Sequence, residues 1–164
     1  MKKFTLLEND TKIYFGIKLF RIKAEISFSN VIKGELGGYI EKENNVDQSG
    51  NAWVSGNARV YGDAQVSGNA RVSGNAWVSG NAWVSGNAQV YGDAQVSGDK
   101  ITAILKTVMC FNYCISITDN FVFCGCKKWE HKEIKSLKYE VAKSYMTETQ
   151  FKVIKKVILE MIKY

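Results

Sequence analysis

The sequence is poor in histidine: His131 is the single imidazole among 164 residues. That excludes any mechanism needing two imidazoles, and with it a zinc centre held by three histidines. Long uncharged runs are also missing. The most apolar stretch, residues 101–126, is interrupted by Lys106, Asn112, Asp119 and Asn120. A membrane-spanning helix takes roughly 20 predominantly apolar residues, so no membrane partner is expected. After Met1-Lys2-Lys3 the apolar residues give way to Glu8, Asn9 and Asp10. This is short of the ~7–15-residue apolar region of a secretory signal, and the expected location is the cytoplasm. Only four cysteines occur, Cys110, Cys114, Cys124 and Cys126. Their spacing matches neither the common zinc pairings nor a secreted disulfide framework, which leaves free thiols as the expectation.

What is present fits one soluble folded body. Hydrophobic residues make up 46% and charged residues 23%, ordinary globular values. The formal net charge is +6 and its excess is carboxy-terminal: residues 99–164 carry 12 basic and 7 acidic groups, against 8 and 7 in residues 1–50 and 2 and 2 in residues 51–98. A basic tail of this kind can contact phosphates, which keeps nucleic acid among the candidate partners. The same lysines alternate with Glu along amphipathic segments, as they do on a solvated helix face.

From Asn51 to Gly98 the chain repeats a six-residue unit eight times without insertion, beginning NAWVSG NARVYG DAQVSG. Ala recurs at the second position, from Ala52 to Ala94, and Val at the fourth, from Val54 to Val96. Side chains two apart share one face of a strand, whereas a period of six sweeps round a helix and places a costly Gly in every unit. Each unit therefore reads as a short strand followed by a Gly-Asn or Gly-Asp corner, and strand plus corner every six residues is the signature of a parallel β-helix. The repeat resembles the left-handed β-helix of hexapeptide acyltransferases, which implies three units, or 18 residues, per triangular coil. Eight units then make just under three coils, with a dry interior of Ala and Val. Ser or Tyr follows each Val, where that superfamily usually has Gly, Ala or an acidic residue.

An 18-residue coil sorts the residues between Ala and Val into three outward columns: Trp53, Arg71 and Gln89; Arg59, Trp77 and Gln95; Gln65 and Trp83. Arg lies one coil from Trp in two of them, within reach of a cation–π contact of about 0.5–1 kcal/mol. These residues admit two readings, a self-stabilising ladder or a binding and oligomer surface formed by Trp53, Arg59, Arg71, Trp77 and Trp83. The acyltransferase resemblance implies a homotrimer.

The flanks complete the expected architecture. Lys12–Ala24 reads as a hairpin hinged at Gly16, and the segment that follows, with Gly34, Gly37 and Gly38, as a cap in which Val46 fills the Ala slot of a degenerate unit. After the repeat come strands over 101–109, 113–118 and 121–126 and two helices, the first opening in Trp129-Glu130-His131. In the second, Thr147 and Gln150 form a capping box ahead of an apolar stripe of Phe151, Ile154, Val157, Ile158, Met161 and Ile162. The fold expected is mainly β: a short left-handed parallel β-helix of about three coils (51–98), an N-terminal β cap (1–50) and a C-terminal α+β domain (99–164) that closes the solenoid. The run Lys33-Gly34-Glu35-Leu36-Gly37-Gly38-Tyr39-Ile40-Glu41, leading into the repeats, resembles hexapeptide-repeat proteins of phages and prophages. That resemblance implies a mobile-element origin and expression in a bacterial cytoplasm, with no reaction to carry over.

Catalytic groups are not expected. Acyl transfer on such solenoids uses a histidine projecting from a coil, and the coils here contain none. Cys124, Cys126 and His131 are the weak metal candidates; buried packing for the thiols and an exposed His131 are the expectation, with no metal and no cofactor. The function expected is a non-enzymatic, oligomeric binding or scaffold protein acting on a host protein or sequestering a small nucleotide. The alternatives are an acyltransferase or a nucleic-acid-binding protein using the basic C-terminal domain.

Overall fold

The computed structural model describes residues 1–98, 100–101, 106–124 and 127–162. Its centre is a β-solenoid in which each repeat supplies one short strand: β4 (Trp53–Val54), β5 (Arg59–Val60), β6 (Gln65–Val66), β7 (Arg71–Val72), β8 (Trp77–Ser79), β9 (Trp83–Val84), β10 (Gln89–Val90) and β11 (Gln95–Ser97). Strands three units apart pair in parallel, with Trp53 on Arg71 on Gln89, Arg59 on Trp77 on Gln95, and Gln65 on Trp83. The 18-residue coil and all three outward columns are those the repeat implies. Every repeat Ala and Val is buried to within 1% exposure, so the column is filled by its own side chains. The corner glycines from Gly56 to Gly98 all take left-handed φ between 62° and 72°, which L side chains reach only with strain. Outside the corners, Asn51, Asn69 and Asn87 pass amide hydrogen bonds of 2.9 and 3.0 Å from coil to coil.

The N-terminal segment joins the solenoid by extending one wall. Strands β1 (Phe4–Tyr14) and β2 (Ile17–Ala24) form the hairpin, longer at its start than the sequence suggests. Its turn at Phe15-Gly16 has positive φ at both residues, the backbone of a tight two-residue hairpin loop. Strand β3 (Leu36–Ile40) pairs antiparallel with β2 and parallel with β5, giving a six-stranded mixed sheet in the order β1-β2-β3-β5-β8-β11. Gly37 and Gly38 lie where β3 passes beneath the first coil. A Cβ on Gly37 would meet the Val54 carbonyl at 2.7 Å, and one on Gly38 the Ala58 carbonyl at 2.7 Å.

Val46 corrects the expected register. It bridges Val66, so it fills the Val slot of the degenerate unit rather than the Ala slot. The spacing from Val46 to Val54 is two residues longer than the repeat, and the surplus forms the Asp47-Gln48-Ser49 turn.

A second apolar core belongs to the C-terminal region. Strands β13 (Lys106–Cys110), β14 (Tyr113–Ile117), β15 (Phe121–Cys124) and β16 (Lys127–Glu130) form an antiparallel meander, while β12 (Lys100–Ile101) adds to β9 of the solenoid. Trp129 and Glu130 belong to β16, so the helix expected from this point, α1 (His131–Ile134), is a single turn. The long helix α2 (Glu148–Met161) starts as predicted: Thr147 Oγ1 accepts from the Gln150 N–H, and Gln150 Oε1 accepts from the Thr147 N–H at 2.9 Å. Phe151, Ile154 and Ile158 face inward, the two isoleucines against Ile115, Ile117, Val122 and Ile134 of the sheet and α1. The expected closure of the solenoid by this domain involves residues outside those described. Among the described residues no helix is long and apolar enough to cross a membrane.

Two glycines separate corner strain from corner packing. A Cβ on Gly74 would lie 2.9 Å from the Gly92 nitrogen, whereas one on Gly92 meets nothing within 4 Å, with φ left-handed in both. Gly92→Ala should cost about 1 kcal/mol, and Gly74→Ala at least about 2 kcal/mol, read from denaturant midpoints at unchanged m. In the second core, Thr147→Ala should lower stability by about 1 kcal/mol through loss of the cap.

Candidate functional site: the outer walls and the base of the solenoid

The solenoid interior has no space for a ligand, so any site lies on its walls or ends. The three walls differ in what covers them. On the first, Trp53 starts its column with no coil beneath it, and Phe4 and Phe28 pack edge-on against it at ring centroids 6.3 and 5.5 Å away. It is 1% exposed, which corrects its expected place on an outer binding surface. Arg71, one coil above, donates to Ser29 Oγ at 3.1 Å and to Asn30 Oδ1, tying the 28–31 loop to the same wall.

On the second wall the hairpin tip covers Trp77. Tyr14 and Phe15 approach it edge-on at 4.7 and 6.3 Å, and the Arg59 guanidinium lies 4.4 Å from the Tyr14 ring and 5.3 Å from Trp77. The Arg–Trp contact expected between coils forms here, with Tyr14 as a third member. Neighbouring Tyr39 takes the Lys12 ammonium at 4.2 Å and the Arg21 guanidinium at 5.4 Å. Trp77 and Arg59 are partly buried in this cluster.

The third wall carries the exposed indole. Trp83 is 46% exposed, and its Nε1 donates to Ser67 Oγ at 3.1 Å, which lays the ring along the wall towards the coil below. Beside it runs an open groove of about 610 Å³, bordered by Glu43, Asp47, Gln48, Gln65 and Ser67. The five candidate surface residues are thus divided: Trp83 faces solvent, Arg59, Arg71 and Trp77 are engaged by the cap, and Trp53 is core.

The base of the solenoid holds a group that the repeat pattern did not reveal. In the upper coils, the Ala70 and Ala88 carbonyls accept from the N–H groups of Trp53 and Arg71 one coil below. Ala52, first in that column, has no such neighbour, and its carbonyl accepts from Lys3 Nζ at 2.9 Å. The same ammonium donates to Ser49 O at 3.2 Å and to Asp47 O, so its three protons meet three carbonyls. Lys3 is 2% exposed, and burial pushes its pKa down to about 8 against the opposing pull of the Asp47 charge. Asp47 in turn is held below the usual carboxylate range by the Ser49 N–H and hydroxyl, despite partial burial, with Lys3 adding to the effect. On the other two walls Tyr39 N donates to Ala58 O at 2.9 Å, and Asn45 Nδ2 to Ala64 O at 2.8 Å. Gln48 anchors the first strand by accepting from the N–H of Lys3 and Phe4 and donating to the Phe4 carbonyl. No sequence pattern distinguishes Lys3 from the neighbouring Lys2; the carbonyls it serves come together only in the fold.

The weak metal candidates do not form a described cluster. Cys124 is buried in β15, Cys126 lies outside the described residues, and His131 is partly buried with Nε2 3.3 Å from the Phe121 carbonyl. No group of three His, Cys, Asp or Glu side chains suited to a metal occurs among the described residues.

Comparison with known proteins bears on the repeat alone. A family model described as the YdcK beta solenoid repeat matches residues 64–80, nearly one coil. Among curated proteins none matches the chain.

Lys3→Met should cost about 1–3 kcal/mol near neutral pH by leaving the buried Ala52 carbonyl, and the partly buried Asp47 and Ser49 carbonyls beside it, without their donor. The pH dependence follows from linkage. A lysine pKa lowered on folding means that the unfolded chain binds more protons between pH 8 and 10.5, so this group's contribution to stability rises with pH across that window. The stability difference between wild type and Lys3→Met should widen as the pH rises from 8 to 10.5 in paired denaturant titrations, and a flat difference would contradict the assignment.

Proposed function

We propose that this β-solenoid protein is a non-enzymatic binding or scaffold protein of the bacterial cytoplasm, of phage or prophage origin. It assembles through its third wall as a homotrimer and acts on a host system, through a host protein or by holding a small nucleotide at the subunit interfaces. The observation that carries this reading is the unequal cover of the walls. The cap engages the Trp53 and Trp77 walls, while Trp83 remains 46% exposed beside an open groove. A pinned, half-exposed indole with polar neighbours has the composition of an interface centre, where Trp contributes disproportionately. The Ala and Val interior supports a rigid spacer rather than a container. The trimer, the left hand of the coil and the mobile-element origin follow from the resemblance to hexapeptide-repeat proteins. The solenoid match supports the repeat and carries no reaction, since fold and function separate readily.

Light scattering on the purified chain tests the assembly. The wild type should have three times the monomer mass, and Trp83→Ser should fall to the monomer mass while keeping the circular-dichroism spectrum of the folded chain. Trp77→Ser should lower the melting temperature through loss of the Tyr14–Arg59–Trp77 stack. A monomeric wild type, or an assembly indifferent to Trp83→Ser, rules out this interface.

A further inference from the structure

The C-terminal domain carries a second concave surface whose chemistry differs from that of the solenoid walls. Between α1 and α2 runs a groove of about 540 Å³ lined by Lys135, Lys152, Lys155, Lys156, Leu159 and Ile162, with Glu160 as the one acid among its described residues. Lys155 shapes the groove: its ammonium donates to Lys135 O and Leu137 O, both at 2.8 Å, and so ties α2 to the end of α1. The charges of Lys135 and Lys156 are exposed and have no carboxylate partner among the described residues. Lys152 pairs with Glu148 at 2.8 Å across one turn, but both side chains are largely exposed. Such an exposed pair is weakly held and yields readily to another anion. Three other acids of the domain are occupied away from the groove, Glu130 with Lys132, Glu140 with Lys143, and Glu133 in capping α1.

From this we infer that the α1–α2 groove is a docking site for an acidic amphipathic helix of a partner protein. The aliphatic floor at Leu159 and Ile162 selects among polyanions. A nucleic-acid backbone offers phosphates to the lysines and nothing to the floor, and stacking of single strands calls for aromatic side chains, of which there are none among the described residues of the groove. A membrane surface calls for apolar groups that protrude, whereas Leu159 and Ile162 are partly buried against the second core. An amphipathic helix satisfies both parts at once, with apolar side chains on the floor and carboxylates against the rim. The inference extends the binding reading to a different surface. Charge reversal in this groove should leave the assembly mass unchanged, and Trp83→Ser should leave peptide binding unchanged, so either can fail alone.

Fluorescence anisotropy with a labelled peptide of about 14 residues, Leu at i, i+3, i+4 and i+7 and Glu elsewhere, tests this on the full chain at low ionic strength. That peptide should bind at least about tenfold more tightly than one with Lys in place of Glu, and its affinity should fall with added salt. Replacing its Leu by Ser should remove binding, and the double variant Lys135→Glu, Lys156→Glu should weaken it by about tenfold or more with an unchanged melting temperature. Equal binding of the Glu and Lys peptides, or indifference to the charge reversal, would overturn the proposal. So would tighter binding to duplex DNA or to phosphatidylserine vesicles than to the Glu peptide, if lost on the same reversal.

Discussion

Everything in the N-terminal two thirds of this protein depends on the hydrogen bonds that run from one coil to the next. A parallel solenoid satisfies its backbone by stacking, so each coil supplies donors to the coil above and needs donors from the coil below. At the first coil that arrangement fails, because the carbonyls of Ala52, Ala58 and Ala64 point away from the stack. The chain solves this three times with three different groups: the Lys3 ammonium, the backbone N–H of Tyr39 and the side-chain amide of Asn45. The N-terminal segment is therefore an integral end plate, and the hairpin, the two glycines of β3 and the Asp47–Ser49 turn all follow from the need to bring these donors into place.

That end plate also decides which surface is left to recognise anything. Three of the repeat units before Gly86 carry Trp at the same outward position, and by pattern alone they are equivalent. They differ in what the cap reaches. Trp53 is nearest the base and becomes core under Phe4 and Phe28; Trp77 lies beneath the hairpin tip; Trp83 is on one of the two walls that the hairpin sheet does not extend and keeps 46% of its surface exposed. A sheet grows only along its hydrogen-bonding edge, so adding β3, β2 and β1 to the wall of β5, β8 and β11 extends neither of the other two, and of those the Trp53 wall is covered by Phe4 and Phe28 instead.

The second core follows the same logic with less regular means. A four-stranded meander has one face to bury, and the capped amphipathic helix α2 supplies the cover. Packing α2 against the single turn of α1 gathers lysines from both around two aliphatic side chains. The strand pattern near Trp129 was hidden because Lys127-Lys128-Trp129-Glu130 carries no clear alternation, and its strand state comes from pairing with Phe121–Cys124. Propensity yielded there to an available edge.

What the sequence determined by itself is whatever repetition or a local signal encodes: the 18-residue coil, the Ala and Val interior, the left-handed corner glycines, the columns of outward side chains and the Thr147–Gln150 cap. These are decided within a few residues, or by one unit meeting its copy, and need no knowledge of the rest of the chain. Only the tertiary structure decided that Lys3 is buried, that Val46 sits in the Val slot, and that Trp53, Trp77 and Trp83 have different surroundings. Each of those outcomes rests on a contact between segments that share no pattern, and the energy of such a contact depends on which donors and surfaces the remainder of the fold has left unmatched.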